Sequence, residues 1–553
     1  MKDVDVTLPS GTKITVPYGT RVEEILGNEE FNSISDPFVG AFANNELTSL
    51  SFKIGINCLV KPIAVSTPTG NRIYRDSLCF LLTKTAKKLF PDKRLVISNS
   101  LGNSYYFYFV DIEEVPESDI RAIEKSMRED VEKDLPITRQ VISYQEAVSF
   151  FEKNNYKDTS LLLKHRNDSK VALYTCENYR DLAHTPIAPC TGILKYFEIM
   201  KYSNGFLLRY PDTEDLKYIK PFRDIPVLSS IFQEYKAWGK IQKFSSVGEL
   251  NEHIDAGNTE EIIRVADALH NKKIAQIADQ IALKRGKVRL ILIAGPSSSG
   301  KTTFSKKLST QLRVVGYNPI ILSLDDYYVD REKTPKDENG EYDFESIDAI
   351  NIELFNKNLL DFISGKEVEI PYFDFITGKS SFKGHKIRMD SRSILVVEGI
   401  HGLNEKLTCE IDHDFKHKIY ISALTQLNLD DHNRIPTTDN RLLRRMVRDY
   451  QYRGYSALDT LSRWPSVRKG EYRNIFPFQE NADSVFNSAL DYELAVLKSF
   501  AEPILKTVKP YNELYSEAKR LQRFLENFTS IPARFVPRTS ILREFIGDSG
   551  FKY

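Results

Sequence analysis

At 553 residues the chain is too long for a single hydrophobic core, so several domains are expected. Lys+Arg and Asp+Glu balance at 76 each, which removes any global charge argument for nucleic acid or an anionic membrane and leaves only local patches. The five cysteines (Cys58, Cys79, Cys176, Cys190, Cys409) form no CxxC pair, which argues against a disulfide framework or a zinc knuckle. The polar start MKDVDVTLPSG has no apolar signal core, and the longest apolar runs are strand-length, so a cytoplasmic chain without a membrane span is expected.

Residues 1–63 alternate with period two. VDVTLPSGTKITVPYG reads as two strands around a Ser-Gly turn. TRVEEILGN follows as a helix capped by Thr20, and FVGAFANNEL and INCLVKPI read as returning strands, which together make a β-grasp module. The pattern V.LPSG....VPYGTRVEEIL resembles the TGS domain, the ubiquitin-like module at the front of threonyl-tRNA synthetases and some GTPases.

Residues 64–222 mix helices (SLCFLLTKTAKKLF, EDVEKDLP, YQEAVSFFEKN) with strands, an α+β pattern. The order RDSLCFLL, SYYFYFVDIE, CENYRDLAHTPIAPCTG, FEIMKYSNGFLLRYPD resembles the editing-type domain that follows the TGS module in threonyl-tRNA synthetases. That family carries two histidines on the first helix, then a cysteine and a histidine in a DLCRGPH-type segment. Here the helix positions are Asp76 and Phe80, and the later segment runs from Asp181 through His184 to Ile187. The resemblance therefore implies a domain that has lost this chemistry and is kept for shape, binding or regulation. His184, a histidine without ligand partners in the sequence, is read as structural.

Residues 223–286 read as a helical connector. NTEEIIRVADALHNKKIAQIADQIALKRG has apolar residues at spacings of three and four and stops in basic residues before Gly286. Its basic residues are read as a solvated face rather than a nucleic-acid surface.

From 287 to 490 short apolar strands alternate with helices, the signature of βαβ units with a parallel sheet flanked by helices. Gly295-x-x-x-x-Gly300-Lys301-Thr302 lies after the buried strand VRLILIAG and opens a helix, where a phosphate loop belongs. The glycines let backbone N–H groups wrap an anion, and the helix start adds the positive end of its dipole. Ser297, Ser298, Ser299 and Thr303 complete the loop; Lys301 can bridge the outer phosphates and Thr302 can ligate magnesium. No NKxD-like guanine-reading segment follows, so ATP is favoured. LSLDDYY puts Asp325 and Asp326 at the carboxyl edge of the sheet, and SILVVEG ends in Glu398. A carboxylate there can take the proton of an attacking hydroxyl. DNRLLRRMVRDYQYRG carries Arg441, Arg444, Arg445, Arg448 and Arg453; Arg441, Arg445 and Arg448 share one face, either solvated or closing over ATP.

GPSSSGKTTFS, LSLDDYY, YDFESIDAI, IPYFDF, VVEGIHGL and RRMVRDYQYRG, in this order, resemble the uridine kinase and phosphoribulokinase group of P-loop kinases. The resemblance implies ATP and Mg2+, with Asp325 as catalytic base and magnesium-adjacent acid, and Glu398 as the metal-side acid beside Thr302. It also implies Arg445, Arg448 and Arg453 on ATP, and an acceptor pocket of Tyr328, Asp343, Phe373 and Phe375. Uridine kinases carry a histidine and an arginine where this chain has Gly378 and Ser380, and an arginine at Tyr455. Catalytic parts are kept while base-reading parts change. The expected activity is phosphoryl transfer to a hydroxyl of a small molecule of nucleoside type. The alternative is a nucleotide-responsive protein binding RNA or tRNA through its front half. Residues 491–553 read as an amphipathic helical tail that packs on the kinase domain or makes a contact between subunits.

Overall fold

The computed structural model describes residues 3–31, 36–336, 338, 340 and 342–552. The chain opens with β1 (Asp3–Thr7), β2 (Lys13–Pro17), the short helix α1 (Val22–Ile25), β3 (Phe38–Ala43), β4 (Glu46–Thr48) and β5 (Cys58–Ala64). The sheet order is β2-β1-β5-β3-β4, with the β1–β2 hairpin antiparallel and β1 parallel to β5, a β-grasp arrangement. Thr20 does not cap α1: its hydroxyl donates to Pro17 O at 2.8 Å, and Arg21 occupies the cap position, its N–H donating to Glu24 Oε1 at 3.3 Å.

The second domain starts with α2 (Pro68–Leu89), whose first turn is capped by Thr67 Oγ1 accepting from the Gly70 N–H at 3.0 Å. It continues with β6 (Leu95–Ser100), β7 (Ser104–Phe109), α3 (Glu117–Glu132), β8 (Thr138–Ser143), α4 (Tyr144–Lys153), α5 (Lys157–Lys164), β9 (Lys170–Cys176), β10 (Tyr179–Leu182), β11 (Glu198–Tyr202) and β12 (Gly205–Arg209). These strands form a four-stranded sheet, β11-β12-β7-β6, and a three-stranded sheet, β10-β9-β8. The helices α6 (Pro226–Gln242), α7 (Val247–Asp255) and α8 (Thr259–Leu283) follow, and α8 buries Ile263, Ile274, Ile277 and Ile281 in the core of the next domain.

That domain contains β13 (Leu290–Ala294), α9 (Lys301–Val314), β14 (Asn318–Ser323), α10 (Ile352–Ile363), β15 (Glu367–Asp374), β16 (Lys379–Arg388), β17 (Ser393–Glu398), β18 (Lys416–Ser422), α11 (Thr437–Arg453), α12 (Ala457–Asn474) and β19 (Ser484–Asn487). β14-β17-β13-β18-β19 form one sheet with every pairing parallel. Both faces are covered: Ile291, Ile293, Ile394 and Val396 enter one apolar cluster, and Leu290, Leu292, Leu395 and Val397 enter the other. β15 and β16 form a separate antiparallel hairpin beside the sheet. The tail is α13 (Glu493–Leu505), α14 (Tyr515–Leu525) and the short α15 (Arg543–Ile546). Its Leu494, Leu497, Leu521 and Phe545 belong to the same cluster as β13 and α9. It also grips the β-grasp module through Lys61–Glu513 at 2.8 Å and Arg523–Glu46 at 2.6 Å.

Residues 428–433, just before α11, are sewn onto the second domain. Arg94 donates to both Asp431 oxygens at 2.8 and 2.6 Å and to Asp158 at 2.6 Å, and Asn428 Nδ2 donates to Ile97 O at 2.6 Å. His184 faces Asp430 at 3.1 Å, and His432 Nδ1 lies 2.7 Å from Asp181. His184 thus has a carboxylate partner from the other half of the chain, which its sequence neighbours do not reveal. Burial works against charging His432, but the Asp181 charge and hydrogen bond, with Asp431 and Asp430, hold its pKa at about 9. Because that value lies above the ordinary histidine value, the stabilisation is complete below about pH 6.5 and is lost as pH rises through about 9. We expect His432→Gln to lower the melting temperature at pH 6 and to make little difference at pH 10, with a maximal effect of about 3 kcal/mol; thermal melts across pH measure this.

Candidate active site

β13 is fully buried and delivers the chain at Gly295 to the carboxyl edge of the sheet. A Cβ at Gly295 would lie 2.0 Å from Ile421 O, so only glycine permits the loop to pass β18 there. The loop turns through Ser298 in the left-handed region (φ +59°) and enters α9 at Lys301, leaving the first N–H groups of that helix without intrahelical partners. Lys301 Nζ folds back on Gly295 O (2.9 Å) and Pro296 O (3.3 Å), and the Thr302 hydroxyl donates to Glu398 Oε1 at 2.7 Å.

α11 braces this loop. Arg441 donates to Ser297 O at 3.1 Å and forms a two-armed pair with Glu471 on α12. Glu471 in turn accepts the Ser297 N–H at 3.1 Å. Arg444 donates to Ser298 O at 3.3 Å, to Ser488 O at 2.8 Å and to Glu493. Arg441 and Arg444 are therefore neither solvated nor poised over a nucleotide: both are buried behind the loop. Arg445 reaches the loop by donating to Ser297 Oγ at 2.8 Å. Arg448 and Arg453 sit with Asp449 at 2.9 and 3.4 Å.

The tail adds a group that sequence spacing does not suggest. Glu544 on α15 accepts from the Thr303 N–H at 3.0 Å and from the Thr303 hydroxyl at 2.6 Å. The first turn of α9 thus already donates to one carboxylate of the chain itself.

Across the cleft, β14 ends at Ser323, whose register partner is Glu398, and the next turn carries Asp325 and Asp326. Asp325 is open to solvent yet walled by protein; burial raises its pKa, and Lys301 and Arg453 pull it back down. Glu398 is pushed up to about 7 by burial, against the opposing charge of Lys301 and the Thr302 hydrogen bond. Thr302, Glu398 and Asp325 therefore offer hard oxygen donors whose negative charge is poorly compensated, which fits Mg2+. Among the described residues there is no group of three or more His, Cys, Asp or Glu that could hold a metal ion.

Tyr328, Phe373 and Phe375 form an aromatic cluster, with ring centroids 5.4 Å apart for Tyr328–Phe373 and 5.1 Å for Phe373–Phe375. Asp343 is engaged in its own turn, accepting from the Glu345 N–H at 3.1 Å. Glu345, two residues on, is the acid that senses Lys301, Arg445 and Asp325; burial and the neighbouring Glu471 raise its pKa to about 7. Gly378 closes the tip of the β15–β16 hairpin at φ +70°, and a Cβ there would lie 2.7 Å from Arg331 Nε. Ser380 is held by its N–H donating to Asp330 Oδ1 at 2.9 Å. The departures at these positions are thus built into the hairpin turn and its contact with the 330s loop.

Residues 290–495 match the model of the Phosphoribulokinase / Uridine kinase family. The matched stretch takes in the phosphate loop, Asp325, Glu398, α11 and Glu493. In addition, 187 residues are 30% identical to the threonine–tRNA ligase of Francisella tularensis subsp. novicida (strain U112), covering 34% of this chain and 30% of the ligase. The corresponding enzyme of F. tularensis subsp. tularensis (strain SCHU S4 / Schu 4) is 29% identical over the same length. The chain thus spans under a third of the length of these curated relatives. Among solved structures, a possible uridine kinase from Bacillus stearothermophilus is 19% identical, with 39% of this chain and 98% of that chain covered and a TM-score of 0.27. A D-glycerate 3-kinase from Cryptococcus neoformans var. grubii is 12% identical, with 46% and 87% covered and a TM-score of 0.21.

Of the residues expected from sequence, the fold brings Lys301, Thr302, Asp325, Glu398, Arg445 and Arg453 into one electrostatically linked group. Glu345 is visible in the sequence only as another acid in YDFESID, and Glu544 has no sequence signal, since its place depends on how the tail returns over α9. Because Glu544 puts a negative charge at the first turn of α9, Glu544→Gln is expected to tighten nucleotide binding about 3- to 10-fold. Titration with a fluorescent ATP analogue reads this directly, and weaker binding would show that the carboxylate supports the loop instead.

Proposed function

We propose that the chain is an ATP- and Mg2+-dependent kinase that transfers the γ-phosphoryl group to a hydroxyl of a small molecule, most consistent with the 5′-OH of a nucleoside. The observation that carries this reading is Asp325: a raised-pKa carboxylate at the carboxyl edge of a parallel sheet, between Lys301 of the phosphate loop and the aromatic cluster of Tyr328, Phe373 and Phe375. A pure nucleotide switch needs no such acceptor-side base.

In this reading the backbone N–H groups of Ser298, Gly300, Lys301 and Thr302, with the Lys301 ammonium, bind the phosphates, and the arginines 445, 448 and 453 offset charge during transfer. Thr302, Glu398 and Asp325 would hold Mg2+, which would neutralise phosphate charge. Asp325 accepts the proton of the attacking hydroxyl. The aromatic cluster gives a flat apolar surface for a ring, and Glu345, with Asp343 in the adjoining turn, faces the polar part of the acceptor. The changes at Gly378, Ser380 and Tyr455 make the base identity a matter for the pocket of this chain rather than for the family pattern.

Asp325→Asn is expected to lower acceptor-dependent turnover by about 10²- to 10⁴-fold with ATP affinity little changed. ADP release screened over nucleosides, other sugars and polyols, with and without RNA, measures it. Near-normal turnover in the variant would remove Asp325 as the base. RNA-stimulated hydrolysis that needs no acceptor would favour a nucleotide-responsive RNA-binding protein.

A further inference from the structure

A cleft of about 1130 Å³ lies between the synthetase-like domain, the kinase domain and the tail. Several of the cations lining it are paired with carboxylates. Arg72 pairs with Glu517 at 3.3 Å, Arg520 with Asp439 at 2.6 Å, Arg523 with Glu46 at 2.6 Å and Arg166 with Asp168 at 2.6 Å.

Two guanidiniums lie over one aromatic pair. Arg75, on α2, lies over the Tyr210 ring at 5.5 Å, and Arg434, just before α11, lies over the Tyr105 ring at 5.2 Å. The two rings are 5.1 Å apart, so the arginines flank one aromatic pair from opposite halves of the chain. Among the described residues neither makes an ion pair within 4.0 Å with a carboxylate; Arg75 Nε donates to Asn71 O at 3.3 Å, whereas Arg434 Nε is buried with no hydrogen-bond partner. An unpaired buried donor on a cation is costly unless something else satisfies it. A guanidinium stacked on a ring still presents its edge to paired oxygens.

We infer that this cleft binds a small organic phosphate, a phosphomonoester, whose oxyanion is held jointly by Arg75 and Arg434. A dianionic tetrahedral group matches two fixed guanidiniums, and the volume is far larger than inorganic phosphate requires, leaving room for an organic part along Asp76 and His184. The site is also placed to influence the phosphate loop. Arg434 is separated from α11 by Ile435 and Pro436, and α11 carries the Arg441, Arg444 and Arg445 contacts to Ser297 and Ser298. A ligand that draws Arg434 toward Arg75 therefore acts on the helix that braces the loop, and linkage makes the effect mutual.

The test uses the full-length protein carrying Lys301→Ala, so that phosphate binding at the loop is disabled and the outcome does not depend on the kinase reading. Calorimetry with glycerol 3-phosphate is expected to show one site, with inorganic phosphate binding about tenfold more weakly, and Arg75→Gln or Arg434→Gln each weakening it at least about tenfold. Arg75→Gln sits on the far domain from α11, so it decides the matter even where Arg434→Gln fails to fold in a melt. In the chain with Lys301 intact, glycerol 3-phosphate is expected to shift nucleotide affinity by about fivefold or more, and Arg75→Gln to abolish the shift. Absence of binding, equal binding of inorganic phosphate and the ester, or binding that survives both substitutions would overturn the site. Binding with no change in nucleotide affinity would overturn the coupling.

Discussion

Two buried ion pairs, Arg441–Glu471 and Arg444–Glu493, hold the phosphate loop from behind, with all four side chains at most 2% exposed. Taking four charges out of water is expensive, and such pairs add little net stability compared with apolar packing. What they provide is position. Each guanidinium, while paired, still has an N–H left for a loop carbonyl, Ser297 O or Ser298 O, and Ser298 sits in a left-handed conformation that a non-glycine residue adopts only under constraint. The loop's shape is therefore imposed by α11, with α12 and α13 supplying the counter-charges. Loss of either acid would leave a buried cation and release the carbonyl it orients.

The same helix ties the two halves of the chain together. α11 is preceded by the segment 428–433, whose aspartates and histidine are paired with Arg94, Asp181 and His184 of the second domain. Its first turn meets the tail through Asp439 and Arg520 at 2.6 and 2.8 Å. The tail then returns over α9 and places Glu544 on Thr303. A chain that looks modular along its length thus converges on one helix, and the synthetase-like domain is mechanically connected to the loop of the kinase domain instead of being appended to it.

Local pattern was a good guide wherever local chemistry decides the outcome. The βαβ alternation, the glycine-bounded loop before a helix, and the hairpin-helix-strand order of the front module all follow from side-chain period and turn residues, and all appear in the structure. Asp325 and Glu398 were placed correctly at strand ends because strand ends are themselves local features. Helical periodicity failed for the arginines of α11. It puts Arg441, Arg445 and Arg448 on one face but is silent about what faces them, and Glu471 and Glu493 come from other helices. The capping role expected of Thr20 failed for a smaller reason of the same kind, since its hydroxyl found Pro17 O nearer.

Sequence by itself determined the glycine-bounded loop before α9, the parallel sheet and the acids at its carboxyl edge, because each depends on residues close together or on a repeating pattern of burial. Tertiary structure alone decided that Arg441 and Arg444 are braces, that Glu345 is buried beside Glu471 with its pKa raised, and that His184 has an acid partner. It also decided that Glu544 reaches the phosphate cradle and that Arg75 and Arg434 share one cleft. All of these are pairings between charged groups far apart in the chain. A charge carries no directional period along a sequence, so its partner is settled only when the folded backbone brings one within a few ångströms and excludes the water that would otherwise take its place.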